Sequence, residues 1–399
     1  MSHTNKYWVS SLNDAAHITP SKGDGAPDQV RFYDTTLRDG EQTVGVALTP
    51  QQKLEIAHLL DELGIARIEA GFPRVSADDA EAFALVAKAG LRAEIWGFAR
   101  AVQADLDEVI RLGAKATVIE IPSSEIKLRA YGIDAPTSIT RATDAIRHAK
   151  NHGLRVAFFP VDGTRADLAH LKRLYQAGRE AGADEAVIVD TIGACGPEAA
   201  GYLVSQVGLW LGPDVPLHFH GHNDFGLATA CAVAAVRAGA SWIQGTINGM
   251  GERAGNADLG EVAMALECIY GVRAQIKLEK IREVSKHVQK VSGYHLEPWK
   301  PVVGENLFMR ESGAVASQFH IPEAIEPFSA DIVKARREIV LGKKSGLDSI
   351  AIKGEELGLK ISEAQRPAVL AAVKKKGIEK RGLLTDDEFR ALVSVVCSA

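Results

Sequence analysis

Four cysteines in 399 residues, with no CxxC pair among them, are too few for a disulfide framework. Cys195, Cys231, Cys268 and Cys397 are therefore expected to be reduced thiols, three of them in apolar contexts. Basic residues never cluster beyond the short run Lys374 to Lys376, and the formal net charge of −5 is spread along the chain, which excludes a nucleic-acid-binding footprint. No apolar run approaches the length of a membrane span, and the start MSHTNKYWVS lacks the charged-then-apolar order of a secretory leader. A cytoplasmic protein with no membrane partner is expected. Also missing is a Gly-rich phosphate turn after the first β-rich segment, which counts against an open doubly wound sheet.

What is present is an ordinary globular composition, 46% apolar and 24% charged, with enough chain for one large domain and an appendage. Short β-rich runs recur from Val30: VRFYDTTL, ARIEAGF, AEIWGFA, ATVIEI, LRVAFFPV, EAVIVDTIG, VPLHFHGH and WIQGTING. Amphipathic helical segments lie between them. The clearest begins at Thr49-Pro50-Gln51-Gln52, where a Thr cap, a Pro at the first helical position and a Gln at the reciprocal position form a capping box. Ile56, Leu59, Leu60 and Leu63 follow at helical spacing, and Gly64 can end the helix. Eightfold strand–helix alternation at this length predicts a (β/α)₈ TIM barrel, whose usual size is about 250 residues. The expected organisation is an N-terminal arm over 1–29, a barrel over 30–275 and a smaller mixed, mainly helical C-terminal unit over 276–399, with no regulatory domain. A second capping box, Thr385 to Glu388, starts a helix in that last unit, with Phe389, Leu392, Val393 and Val396 on one face.

The seventh β-rich run ends in LHFHGHND, with His218, His220 and His222 two residues apart and so on one face of an extended strand. In a barrel this strand end lies at the active-site face. Imidazoles converging there can bind a divalent ion if an anionic partner reaches them, and the first strand ends in DTTLRDGEQ, which places Asp39 on the same rim. Beside it, Arg38 offers a fixed cationic fork suited to a carboxylate or an enolate oxygen.

DTTLRDGEQ, IEAGFP (Ile68 to Pro73), HGHND and NGMGERAGN (Asn248 to Asn256), together with EPFSADIV and IVLGKKSG further on, resemble the homocitrate synthase and 2-isopropylmalate synthase family, the acyl-CoA-using branch of the DRE-TIM metallolyases. The resemblance implies a divalent metal (Mg²⁺, Mn²⁺ or Zn²⁺) holding a 2-oxo acid, acetyl-CoA as co-substrate, Claisen-type condensation and a homodimer. Carried over position by position, it implies Asp39, His220 and His222 as metal ligands, with Asn248 in or near the metal shell and His218 left as a supporting residue. It further implies Arg38 and Glu69 as catalytic groups, Gln42 and Thr191 in substrate binding, and Gly251, Glu252, Arg253, Gly255 and Asn256 as the acyl-CoA loop. Thr191 as a plain strand former and Glu69 as a buried partner of Arg38 remain open alternatives.

The chain departs from the family pattern in its C-terminal unit. Glu311-Ser312-Gly313-Ala314-Val315 stands where the family carries ESGIH, and Ile325 stands where a Tyr precedes EPF. The usual acid–base His and Tyr are thus replaced, and Arg310 and His320 become the candidates for carboxylate binding and proton transfer. In the fifth strand, Phe158-Phe159-Pro160-Val161-Asp162 places Val where the family's F-S-x-E-D has Glu. With Ala157, Trp96 and Phe98, and with Phe159 as a further wall residue or alternatively a plain core aromatic, the oxo-acid side is expected to be apolar, which argues against 2-oxoglutarate. A metal-dependent lyase or aldolase of the same superfamily, or a paralogue that binds metal and ligand without turnover, stands beside condensation.

Overall fold

The computed structural model describes residues 6–14 and 27–398. Eight parallel strands close on themselves: β1 (Arg31–Asp34), β2 (Arg67–Glu69), β3 (Glu94–Arg100), β4 (Ala116–Pro122), β5 (Arg155–Val161), β6 (Glu185–Asp190), β7 (Leu217–Gly221) and β8 (Trp242–Gly245). Closure is direct, since β8 pairs with β1 and sets Gly245 opposite Asp34. Six strands fall inside their β-rich segments, β3 and β4 run one residue past theirs, and the closed barrel is the expected TIM barrel. Every strand is followed by helix, as a right-handed parallel crossover requires.

The helix Pro50–Leu63 forms as its sequence predicts. Thr49 Oγ1 accepts from the Gln52 amide at 3.2 Å and Gln52 Oε1 accepts from the Thr49 amide at 2.9 Å. Gly64 ends it with φ 99°, and Ile56, Leu60 and Leu63 are fully buried. The second capping box forms likewise, with Thr385 and Glu388 exchanging bonds of 2.8 and 3.2 Å.

The chain divides into two units, residues 11–296 and residues 1–10 with 297–399. The first unit runs past residue 275 because the helix Ile281–Ser292 belongs to it, joined to the loop after β8 by the contact of Ser285 with Asn248. In the second unit two short strands, Met309–Arg310 and Glu338–Ile339, pair in parallel. Its helices Leu347–Glu356, Arg366–Lys380 and Asp386–Ser398 enclose a core that includes Ile350, Val369, Val373 and Phe389. The arm expected over 1–29 lies largely outside the described residues. Of its described part, Tyr7 bridges to Phe328 and the Trp8 amide donates to the Pro327 carbonyl at 2.8 Å.

Inside the barrel, Trp96, Phe98, Val118, Phe159, Val187, Val189 and Trp242 contribute to an apolar cluster. A polar set shares that interior. Arg67 forks onto Glu185 at 2.6 and 2.9 Å and lies over the Trp242 ring at 3.7 Å. Glu185 also meets His218 Nε2 at 2.6 Å. This arrangement closes the floor beneath the mouth.

Candidate active site

The loop after β1 and the end of β7 bring a carboxylate and two imidazoles together at the C-terminal mouth. Asp39 Oδ2 lies 3.3 Å from His220 Nε2 and 3.6 Å from His222 Nε2. All three residues are buried, and they form the three-residue group whose potential ligand atoms lie within 4.8 Å of one another. Burial alone would push the Asp39 carboxyl up, but Arg38 beside it and the two imidazoles hold it well below the usual range. Burial pushes His222 down to about 4, so its imidazole is neutral near pH 7, which is the ligating form.

His222 Nδ1 lies 3.1 Å from the Gly255 carbonyl, which can only accept, so Nδ1 carries the proton and Nε2 keeps a lone pair facing Asp39. Among the described residues, Asp39 Oδ2 and His220 Nδ1 are buried without a hydrogen-bond partner. An anionic oxygen without a hydrogen-bond partner, faced by the Nε2 atoms of two buried imidazoles, is a donor set that a divalent cation satisfies. The residues present fit such an ion.

Of the three alternating histidines, His218 is excluded from that group. Its Nε2 is engaged by Glu185 and its Nδ1 lies 3.2 Å from Gln244 Nε2, with the ring stacked 5.6 Å from Trp242. Asn248 is likewise occupied elsewhere, because its Nδ2 donates to the Ser285 carbonyl at 3.2 Å and its Oδ1 accepts from the Ser285 hydroxyl at 2.5 Å. Its amide is thereby tied to the helix Ile281–Ser292, which the local motif could not reveal.

Arg38 Nε donates to Glu69, which also accepts from the Tyr33 hydroxyl at 2.8 Å. The guanidinium lies 4.3 Å over the Phe98 ring, and its buried Nη2 has no hydrogen-bond partner among the described residues. Glu69 is therefore a positioning residue for a fork that keeps one N–H group available. Thr191 Oγ1 accepts from the Asp162 amide at 2.7 Å, which leaves its own hydroxyl proton for a ligand.

Arg253 fastens three loops, donating to Asp224 at 2.8 Å and to the Thr191 carbonyl at 2.7 Å from its own loop after β8. That loop needs its glycines. A Cβ on Gly255, whose φ is 82°, would stand 1.9 Å from the Gly249 oxygen, and one on Gly251 would stand 2.3 Å from Asn256 Nδ2. Asn256 Nδ2 instead donates to the Met250 carbonyl at 2.9 Å.

A cleft of about 260 Å³ joins these parts, lined by Arg38, Asp39, Gln42, Thr191, His220, His222 and Glu252 among others. Its wall is of mixed character. Phe98, Phe159, Val161 and Val189 do line it, but Arg100, Glu120, Lys127 and Tyr131 line it too, and Trp96 is fully buried below. Period-two alternation in ATVIEI sets Glu120 on the face of Ala116 and Val118, a signal present in the sequence. In the C-terminal unit, Arg310 donates to the carbonyls of Leu307, Met309 and Ile325 at 2.8 to 3.0 Å, so its fork serves local structure. His320 is exposed in that same unit. All four cysteines are unpaired, and no described helix is long and apolar enough to cross a membrane.

Residues 29–288 match the HMGL-like family. The chain is 43% identical over 369 residues to homocitrate synthase AksA of Methanopyrus kandleri, covering 92% of each. It is 42% identical to 2-isopropylmalate synthase of Methanocaldococcus jannaschii, covering 93% of this chain and 72% of that one. The solved HMG-CoA lyase of Bacillus subtilis superposes with a TM-score of 0.61 at 21% identity, over 68% of this chain and 96% of that one, a likeness of fold.

Proposed function

The chain belongs to the HMGL-like family, and from that premise we propose that it is an acyltransferase of the 2-alkylmalate synthase type, condensing acetyl-CoA with a 2-oxo acid. The observation that carries this reading is the buried group Asp39, His220 and His222, set beside an Arg38 fork with an unused N–H. A divalent ion held by these three residues would polarise the ketone of the oxo acid as a Lewis acid, and Mg²⁺, Mn²⁺ and Zn²⁺ all fit one carboxylate with two imidazoles. Arg38, fixed by Glu69, stabilises the negative charge that develops on oxygen. Thr191 donates its hydroxyl to the oxo-acid carboxylate. The loop from Gly251 to Asn256, where Glu252 lines the cleft, receives the acyl thioester.

Similarity to the synthases over most of the chain supports condensation over cleavage. The same reading assigns a homodimer in the cytoplasm, and sedimentation equilibrium checks the dimer. For the reaction, acetyl-CoA is incubated with pyruvate, 2-oxoisovalerate and 2-oxoglutarate in separate assays with Mg²⁺, Mn²⁺ or Zn²⁺. Free thiol that appears only when both substrates are present, together with a new tertiary alcohol, is the expected result. Thiol release without a carbon–carbon bond, or no release with any oxo acid, overturns the reading.

A further inference from the structure

Condensation requires a base that removes a proton from the methyl group of the acetyl thioester, the family's usual His and Tyr are replaced in this chain, and His320, the sequence candidate for proton transfer, is an exposed residue of the C-terminal unit. Among the carboxylates lining the cleft, Asp39 belongs to the metal group, and Glu252 is mostly exposed and faces Arg253 at 3.5 Å. Glu69 lies between Arg38 and Tyr33. The remaining carboxylate is Glu120.

Glu120 sits on β4 opposite Arg100 of β3 and Phe159 of β5, inward on the strand face that also carries the apolar Ala116 and Val118. Among the described residues, its carboxylate has no hydrogen-bond or ion-pair partner. The cations nearest in charge are Arg38, Arg100 and Lys127, but Arg38 is held by Glu69 and Arg100 by Asp105 at 2.7 and 3.1 Å. Lys127 lines the same cleft, and its ammonium makes no ion pair among the described residues. An unpaired carboxylate turned inward from a barrel strand opposes folding, so its place in the cleft calls for a chemical reason.

We propose that Glu120 is the catalytic base of this enzyme, taking the methyl proton of the acetyl thioester; the proposal rests on the condensation reading above. The C–H bond breaks to Glu120, its electron pair forms the enolate C=C, and the thioester carbonyl pair moves to oxygen. The enolate carbon then bonds to the ketone carbon of the oxo acid, whose π pair becomes the alkoxide beside Arg38. Solvent protonates the alkoxide, Glu120 returns its proton to solvent, and water hydrolyses the thioester to release the thiol. Phe98 and Phe159 withdraw water from this part of the wall. Burial raises the Glu120 carboxyl above its ordinary range against the pull of Arg38, Arg100 and Lys127, bringing it toward the pH at which a carboxylate base is most effective.

The test uses the whole chain with Glu120→Gln and Glu120→Asp. With Glu120→Gln, kcat for thiol release is expected to fall about 10²- to 10⁴-fold. Its metal content and its KM for the oxo acid stay within about twofold of wild type, and its melting temperature is at or above the wild-type value. Glu120→Asp recovers part of the rate. With [²H₃]acetyl-CoA, methyl deuterium washes into water in the wild-type enzyme and not in Glu120→Gln. Three results overturn the proposal: a Glu120→Gln variant within tenfold of wild type, a change confined to the KM for the oxo acid, or a rate loss accompanied by loss of metal. A wild-type enzyme without turnover overturns both this proposal and the condensation reading, whereas an active wild type with an equally active variant overturns the base alone.

Discussion

His222 Nδ1 lies 3.1 Å from the carbonyl oxygen of Gly255, so a backbone group from the loop after β8 sets which nitrogen of a β7 imidazole faces Asp39. The contact depends on Gly255 holding φ 82°. Gly255→Ala would drive a Cβ into the Gly249 oxygen and displace that carbonyl. Metal affinity, measured by competition with a chelating dye, is expected to weaken about 10- to 100-fold. Direct removal of a ligand by His220→Ala should leave the dialysed protein with no stoichiometric metal by elemental analysis, and unchanged occupancy would refute the assignment.

His218→Ala should behave in the opposite way. Its loss leaves Glu185 without a 2.6 Å partner and opens space beside Trp242, at a cost of about 2–3 kcal/mol in stability. Denaturant unfolding reads that loss. Metal stoichiometry in the folded fraction should stay as in wild type, which separates this histidine from its two neighbours.

Arg38→Lys removes the fork while keeping the charge. The lysine cannot reproduce an Nε bond to Glu69 together with a free N–H aimed into the cleft. An expected drop in kcat of about 10²- to 10³-fold, with metal content retained, places its effect on developing oxygen charge. A change in KM alone would assign Arg38 to ground-state binding.

Asp34 gives a pH dependence of stability. Burial raises its carboxyl to about 7 although the Thr36 amide and hydroxyl both donate to it at 2.8 Å. A carboxyl raised above its unfolded value, about 4, is fully compatible with folding below that value. Stability is then lost as pH rises from about 4 to about 7, by up to roughly 4 kcal/mol. Urea midpoints across this window should fall for the wild-type chain and stay nearly flat for Asp34→Asn; parallel slopes would show that Asp34 is not the group responsible.

The eight strands, the Thr49 and Thr385 caps and the shared face of His218, His220 and His222 were all legible in the sequence. Each follows from periodicity or capping within a few residues, where local sterics decide the outcome. What each of those inward side chains meets was not local. Barrel closure sets Glu185 of β6 against His218 and brings Asp39 from the loop after β1 to His220 and His222, across separations of more than a hundred residues for Asp39. The Ser285 hold on Asn248 and the local carbonyls that occupy Arg310 were likewise decided by packing. Glu120 lies between these cases: the phase of ATVIEI turned it inward, but only the register of β3, β4 and β5 put a cleft in front of it. Alternation within a strand selects a face, while strand stagger around the closed barrel selects the neighbours on that face.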